Sequence, residues 1–174
     1  MSQAIGDIYR VGDRDNRPWG SYIVTGTGQN AAGEEFCTKD ITVKPQGILS
    51  LQSHDQRRET WTVKSGELTV ILDGQRLTLK EGENVKIPLQ AIHCMANLAD
   101  APCVVSELQE GVCREADIRR YVDANGRATE TANSAQGSES VRQYKLLEQE
   151  IAAGKSGQAA DATTQKRRVS FAFI

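Results

Sequence analysis

From Glu35 to about Gln109 the chain is a succession of short β-like runs cut by glycine, proline and aspartate, with almost no helical periodicity. Phe36 to Lys44 alternates, with Ile41 and Val43 on one side. Leu49 to Ser53 is short, and Glu59 to Lys64 sets Glu59, Trp61 and Val63 against Thr60 and Thr62. Leu68 to Leu72 runs into Asp73-Gly74, a strong hairpin signal, and Arg76 to Lys80 returns. Val85 to Pro88, Ile92 to Leu98 and Cys103 to Leu108 follow. No helix-length segment separates these runs, so parallel βαβ architecture is excluded. Short strands at close, even spacing predict an all-β domain, a β-sandwich or a closed jelly roll.

The last third has another character. Glu115 to Arg120 reads as a short helical or irregular closing segment, and Asp123-Ala124-Asn125-Gly126 as a turn. Residues 128–140 are small and polar, which is linker composition. The pattern predicts one helix, Val141 to Ala153, with Ser140 and Gln143 as a capping box and Gly154 as its stop. Val141, Tyr144, Leu147 and Ile151 make an apolar stripe at helical spacing, suited to packing on the barrel or on a second subunit. Residues 154–168 read as a second flexible link, and Val169 to Ile174 as an apolar, strand-like end. The expected division is a barrel over 16–127, a linker over 128–140 and a C-terminal helical and extended appendage over 141–174.

Composition removes several functions. A net charge of −2, with three Phe, four Tyr and two Trp, gives no case for nucleic-acid binding. No apolar run approaches the roughly 20 residues that span a bilayer. Met1 to Asp15 lacks the apolar core of a signal peptide, so no membrane partner and a cytoplasmic location are expected. Cys37, Cys94, Cys103 and Cys113 form no Cys-x-x-Cys pair and read as reduced, structural thiols. On a strand Cys94 faces away from its neighbour His93, so it is not a ligand candidate.

His54 and His93 are the two histidines of the chain. The first lies in Gln52-Ser53-His54-Asp55-Gln56-Arg57-Arg58-Glu59, shortly before Gly66. The second closes the stretch from Gly82 through Pro88 and Gln90, with Asn97 just beyond. Ligands two apart on a strand share a face, which sets Gln52 beside His54 with Glu59 at the head of the next strand. A set of imidazole, carboxylate and amide oxygen suits one divalent metal, zinc first, with manganese, iron, cobalt or nickel also acceptable.

The two stretches together resemble the cupin pattern of glycine, paired ligands, glutamate, glycine, then glycine, proline, histidine and asparagine. A narrower resemblance runs through Arg17-Pro18-Trp19-Gly20-Ser21-Tyr22, Val43-Lys44-Pro45, Leu49-Ser50-Leu51-Gln52-Ser53-His54, Arg57, Glu59, Trp61 and Ser65-Gly66. It continues through Glu115-Ala116-Asp117-Ile118-Arg119-Arg120 and Asp123-Ala124-Asn125-Gly126-Arg127. Over about residues 16–127 the chain is similar to the cupin domain of type II phosphomannose isomerases, in many members fused behind a mannose-1-phosphate guanylyltransferase domain. No glycine-rich nucleotide loop opening a helix stands in this sequence.

The resemblance implies a double-stranded β-helix with Gln52, His54, Glu59 and His93 as metal ligands. It implies metal-dependent interconversion of an aldose and a ketose phosphate, of the mannose 6-phosphate and fructose 6-phosphate type. Arg120 is the first catalytic-site cation, and Asp55 the candidate base. Arg17, Lys39 and Arg127 are candidates for holding the substrate phosphate. Trp19 and Trp61 read as packing. The expected partners are a small sugar phosphate and a second copy of the chain in a homodimer.

The chain departs from the family at Asp55-Gln56 and Thr60, where members carry further histidines, and at Gln90, where a glycine is usual. These changes favour an alternative: a non-catalytic, metal-containing cupin that binds a sugar or nucleotide sugar, or an assembly or regulatory partner in polysaccharide synthesis. A cupin dioxygenase is disfavoured by glutamine at the first ligand position.

Overall fold

Alternation decides the strands. Their ranges in the computed structural model are β1 Arg14–Arg17, β2 Gly20–Gln29, β3 Glu35–Val43, β4 Gly47–Ile48, β5 Leu51–His54 and β6 Arg57–Ser65. β7 Glu67–Leu72, β8 Gln75–Lys80, β9 Asn84–Ile87, β10 His93–Asn97, β11 Cys103–Gly111 and β12 Ile118–Val122 follow, then the helix α1, Ala135–Ser170. Residues 8–124 and 126–170 are described, with side chains as far as Gly154.

The strands form two antiparallel sheets, β1-β2-β3-β11-β6-β9 and β12-β5-β10-β7-β8, with β4 added to β10. The Asp73-Gly74 turn forms as expected, both residues at positive φ, 46° and 84°, the backbone of a type I′ hairpin between β7 and β8.

The first sheet is graded along its strands. On β3, β11 and β6 the inward positions begin apolar, with Ile41 and Val43, Cys103 and Val105, and Trp61 and Val63. They turn polar towards the other end, with Lys39, Glu107 and Gln109, and Arg57 and Glu59. The barrel therefore has an oily end, closed by Leu68, Val70, Ile87 and Met95, and a polar end.

Four strands were missed by the sequence reading: β1, β2, β4 and β12. β2 carries Gly26-Thr27-Gly28, which has no apolar alternation, yet it is paired with β3 along its whole length. The Phe36 ring of β3 fills the space beside both glycines; a Cβ on Gly28 would stand 3.1 Å from it. The closing segment resolves into a short 3-10 turn, Glu115–Asp117, followed by strand β12.

The helix also differs from expectation. It begins at Ala135, inside the expected linker, because Ser134 rather than Ser140 caps it; the Ser134 hydroxyl accepts from Gly137 N–H at 2.9 Å. Ser140 lies within the helix and donates to the Gln136 carbonyl. Gly154 does not stop the helix, whose backbone continues through the expected second link to Ser170; there a side chain would crowd Gln46 at 3.1 Å. Val169 and Ser170 are thus helical, and the rest of the expected strand-like end, 171–174, lies outside the described residues.

The stripe of α1 packs on the barrel: Tyr144 and Leu147 are fully buried against Leu51, Ile71, Ile92, Cys94 and Ala96. This explains why β10 is buried on both faces, with His93 and Met95 inward and Cys94 and Ala96 under the helix. Among the described residues no helix is long and apolar enough to cross a membrane.

Candidate metal and anion site

Pairing brings the site together. In the second sheet Arg120 of β12 lies opposite Gln52 of β5, and Gln52 lies opposite His93 of β10. In the first sheet Glu59 of β6 lies beside Gln109 of β11, and Lys39 of β3 beside Glu107. The two rows meet at the polar end of the barrel.

At the floor, His54, Glu59 and His93 are all buried, with one ligand atom from each lying within 4.8 Å of the others. His54 Nε2 is 3.1 Å from Glu59 Oε1, and His93 Nε2 is 3.8 Å from Glu59 Oε2. Gln52 Nε2 is 3.5 Å from His54 Nε2, so all four sequence-named ligand candidates gather at one place.

The His93 Nδ1 proton is directed at the Ala91 carbonyl, 2.8 Å away, which leaves Nε2 facing the cluster. That Nε2 is buried without a hydrogen-bond partner. An orphaned imidazole nitrogen aimed at a buried carboxylate fits a divalent cation.

Glu59 is held by the barrel itself. Trp61 Nε1 donates to its Oε2 at 3.0 Å, while Arg57 Nε and Gln109 Nε2 donate to Oε1, each at 3.2 Å. Burial pulls the Glu59 pKa up, but His54, His93 and Arg57 outweigh it and hold the carboxyl well below its usual range. It is therefore ionised, as a metal ligand would be. Burial, above all, drives His93 down to about 4, so its imidazole is neutral, as a metal requires.

Sequence reasoning assigned no role to Arg57, Glu107 or Gln109. Arg57 is fully buried, with Nη1 2.6 Å from the Arg114 carbonyl and Nη2 3.4 Å from His54 Nε2. Glu107 is raised to about 8, first by burial and then by the Glu59 charge, and receives Gln109 Nε2 at 2.9 Å. The signal was present: on β11 the inward positions after Val105 are glutamate and glutamine, polar residues where a strand should bury apolar ones.

Above the floor opens a cavity lined by Gln52 and Glu59 together with Arg17, Lys39, Arg57, Arg120 and Arg127. All four cations named from the sequence reach it. Trp19, Tyr22 and Tyr9 form its aromatic walls, so Trp19 is a wall residue as well as packing. The Lys39 ammonium sits 3.7 Å from the Tyr9 ring centroid and 3.9 Å from Glu107 Oε2.

Asp55 does not join them. One residue past His54 it has left the barrel interior, and its carboxylate pairs with Arg119 at 2.5 Å on another face. Its backbone N–H is pinned by Asp117. As a proton-transferring base for this cavity it is misplaced.

A two-sheet antiparallel barrel with a His–Glu–His floor at its polar end is a cupin. Within that class, residues 7–123 match the family described as mannose-6-phosphate isomerase C-terminal, and the chain belongs to it.

Among curated relatives, mannose-1-phosphate guanylyltransferase of Escherichia coli is 38% identical over 120 residues, covering 68% of this chain and 24% of that protein. Alginate biosynthesis protein AlgA of Pseudomonas aeruginosa is 40% identical over 117 residues, covering 67% and 23%. The chain thus spans about a quarter of the length of these relatives. KdgF from Halomonas superposes with a TM-score of 0.51 at 15% identity, over 57% of this chain and 87% of that one, a likeness of fold alone.

These relatives correct the expected activity. They carry guanylyltransferase and polysaccharide-biosynthesis names, and this chain corresponds to a cupin portion of them, not to an aldose–ketose isomerase. The position of Asp55 agrees with that correction.

Proposed function

We propose that this chain is a metal-holding binding domain for an anionic sugar, a sugar phosphate or nucleotide sugar, in sugar-nucleotide and polysaccharide synthesis. The observation that carries the reading is the convergence of Arg17, Lys39, Arg57, Arg120 and Arg127 on one cavity whose floor is Gln52 and Glu59. Guanidinium groups match phosphate oxygens in geometry and charge, and the five cations outnumber the acidic side chains Glu59, Glu107 and Glu115 that share the lining. The names of the relatives give the ligands to try first, mannose 1-phosphate and GDP-mannose.

Gln52, His54, Glu59 and His93 would hold one divalent metal, zinc first among zinc, manganese, iron, cobalt and nickel. Bound there, the metal would supply a Lewis-acidic contact for a sugar oxygen. The chain supplies the rest. Arg120, across from Gln52, places a guanidinium beside the metal ligands. Trp19 and Tyr22 offer apolar faces to a sugar ring. Glu59, held by Arg57, Trp61 and Gln109, fixes the floor.

Calorimetric titration of the metal-loaded protein tests this. Mannose 1-phosphate and GDP-mannose should bind and free mannose should not, with Arg120→Gln weakening the charged ligands roughly tenfold, the scale of one charge-assisted hydrogen bond. No saturable heat from either charged ligand would overturn the reading.

A further inference from the structure

The cations of the cavity are already engaged, and Glu115 is placed among them. Its Oε2 lies 3.4 Å from Arg120 Nη2, and its charge also acts on Lys39, Arg17 and Arg127. Its Oε1 accepts the Tyr9 hydroxyl at 2.8 Å. The Tyr9 ring in turn lies on Lys39 and meets Tyr22 edge-on, with centroids 6.4 Å apart. The carboxylate lines the cavity and is half-exposed, so nothing in the packing of the barrel demands a charge there.

Each of the other cations has a carboxyl group close by: Arg17 with Asp15, Lys39 with Glu107, Arg57 with Glu59 and Arg127 with Asp123. Glu115 stands between Arg120, which its Oε2 faces at 3.4 Å, and Tyr9, whose ring lies on Lys39.

We infer that Glu115 is an internal stand-in for the ligand's anionic group, held over the cations by Tyr9, which an anionic ligand must displace and a neutral sugar need not. This rests on the proposed binding of an anionic sugar. An anionic ligand must displace one carboxylate charge from Arg120 and its neighbours. A phosphate dianion, with twice the charge and three terminal oxygens, replaces those contacts and adds to them. A sugar carboxylate exchanges like for like, and a neutral sugar gains nothing from the cations. Tyr9, freed from Glu115, keeps its ring over Lys39.

The test is calorimetric titration of wild type and Glu115→Gln, both full chain and metal-loaded, with mannose 1-phosphate, glucuronate and mannose as probes. Glu115→Gln keeps the shape and the hydrogen bond from Tyr9 but removes the charge. It should tighten mannose 1-phosphate at least about threefold, the scale of a partly exposed charge pair. Glucuronate should tighten as well, because both anions displace the same carboxylate, while mannose is unchanged.

Tyr9→Phe, which retains the ring on Lys39 and releases Glu115, should move both anions in the same direction by less. Thermal melts of each variant establish that the fold is kept. Wild type that binds mannose 1-phosphate, with Glu115→Gln binding it no tighter, overturns the role of Glu115 and leaves the anion reading standing. Absence of mannose 1-phosphate binding by wild type and Glu115→Gln alike overturns both.

Discussion

Gln90 holds a left-handed backbone, φ 64°, in the turn that delivers His93, and its N–H donates to the His54 carbonyl at 2.7 Å. One strained residue therefore ties together the two histidine-bearing segments. A side chain in this region costs about 1–2 kcal/mol, whereas glycine is free of that strain but loses more backbone entropy on folding. Gln90→Gly should accordingly be neutral or stabilising by up to about 1 kcal/mol, and Gln90→Val destabilising by about 1–2 kcal/mol, as read from urea denaturation. The departure from glycine visible in the sequence thus has a local backbone meaning and leaves the metal ligands in place. At this scale the directions of the candidate ligands were legible because strand parity fixes them: Gln52 and His54 face inward, and Cys94 turns away from His93 under the helix. Burial there pushes the Cys94 thiol far up, which keeps it an inert packing group. Asp55 was misread for the same reason in reverse, since strand β5 ends at His54 and parity says nothing about the loop beyond.

At the level of elements, α1 is part of the barrel's packing rather than an appendage on a tether. Its Tyr144 and Leu147 seal the outer faces of β7 and of β5 and β10, the two strands that carry Gln52, His54 and His93. Leu147→Ala should cost about 2–5 kcal/mol, since the helix backbone and the sheet behind it leave little room to close the cavity. Urea or thermal unfolding checks this, and a loss below about 0.5 kcal/mol would mean that the helix is not docked in solution. The stripe itself was readable from its spacing. The helix start was not, because Ser134 and Ser140 both sit before plausible helical sequence, and the choice between them is made by tertiary contact. Gly74 of the β7–β8 turn leaves room for the first turns of the helix, where a side chain would stand 2.9 Å from Glu139. β2 was hidden for a related reason: its glycines have no strand signal of their own and depend on Phe36 from the neighbouring strand.

For the whole molecule, the grading of the barrel from an oily end to a polar end joins fold to chemistry. The oily end supplies the core, and the polar end gathers buried ligands beneath an open, cation-lined cavity. The family was legible because its motif residues are those that build this polar end. The activity was not, because a cupin floor with cations above it serves binding and catalysis alike, and the position of Asp55 outside the barrel is not written in its residue type. The central claim is that His54, Glu59 and His93, with Gln52, hold a divalent metal. Elemental analysis by inductively coupled plasma mass spectrometry, after zinc loading and desalting, tests it most directly. Wild type should retain about one metal per chain, while His93→Ala and Glu59→Gln, verified as folded by circular dichroism, should lose most of it, because each removes one of the three ligands best placed to bind. Wild type that retains none, or folded variants that retain as much as wild type, would contradict it.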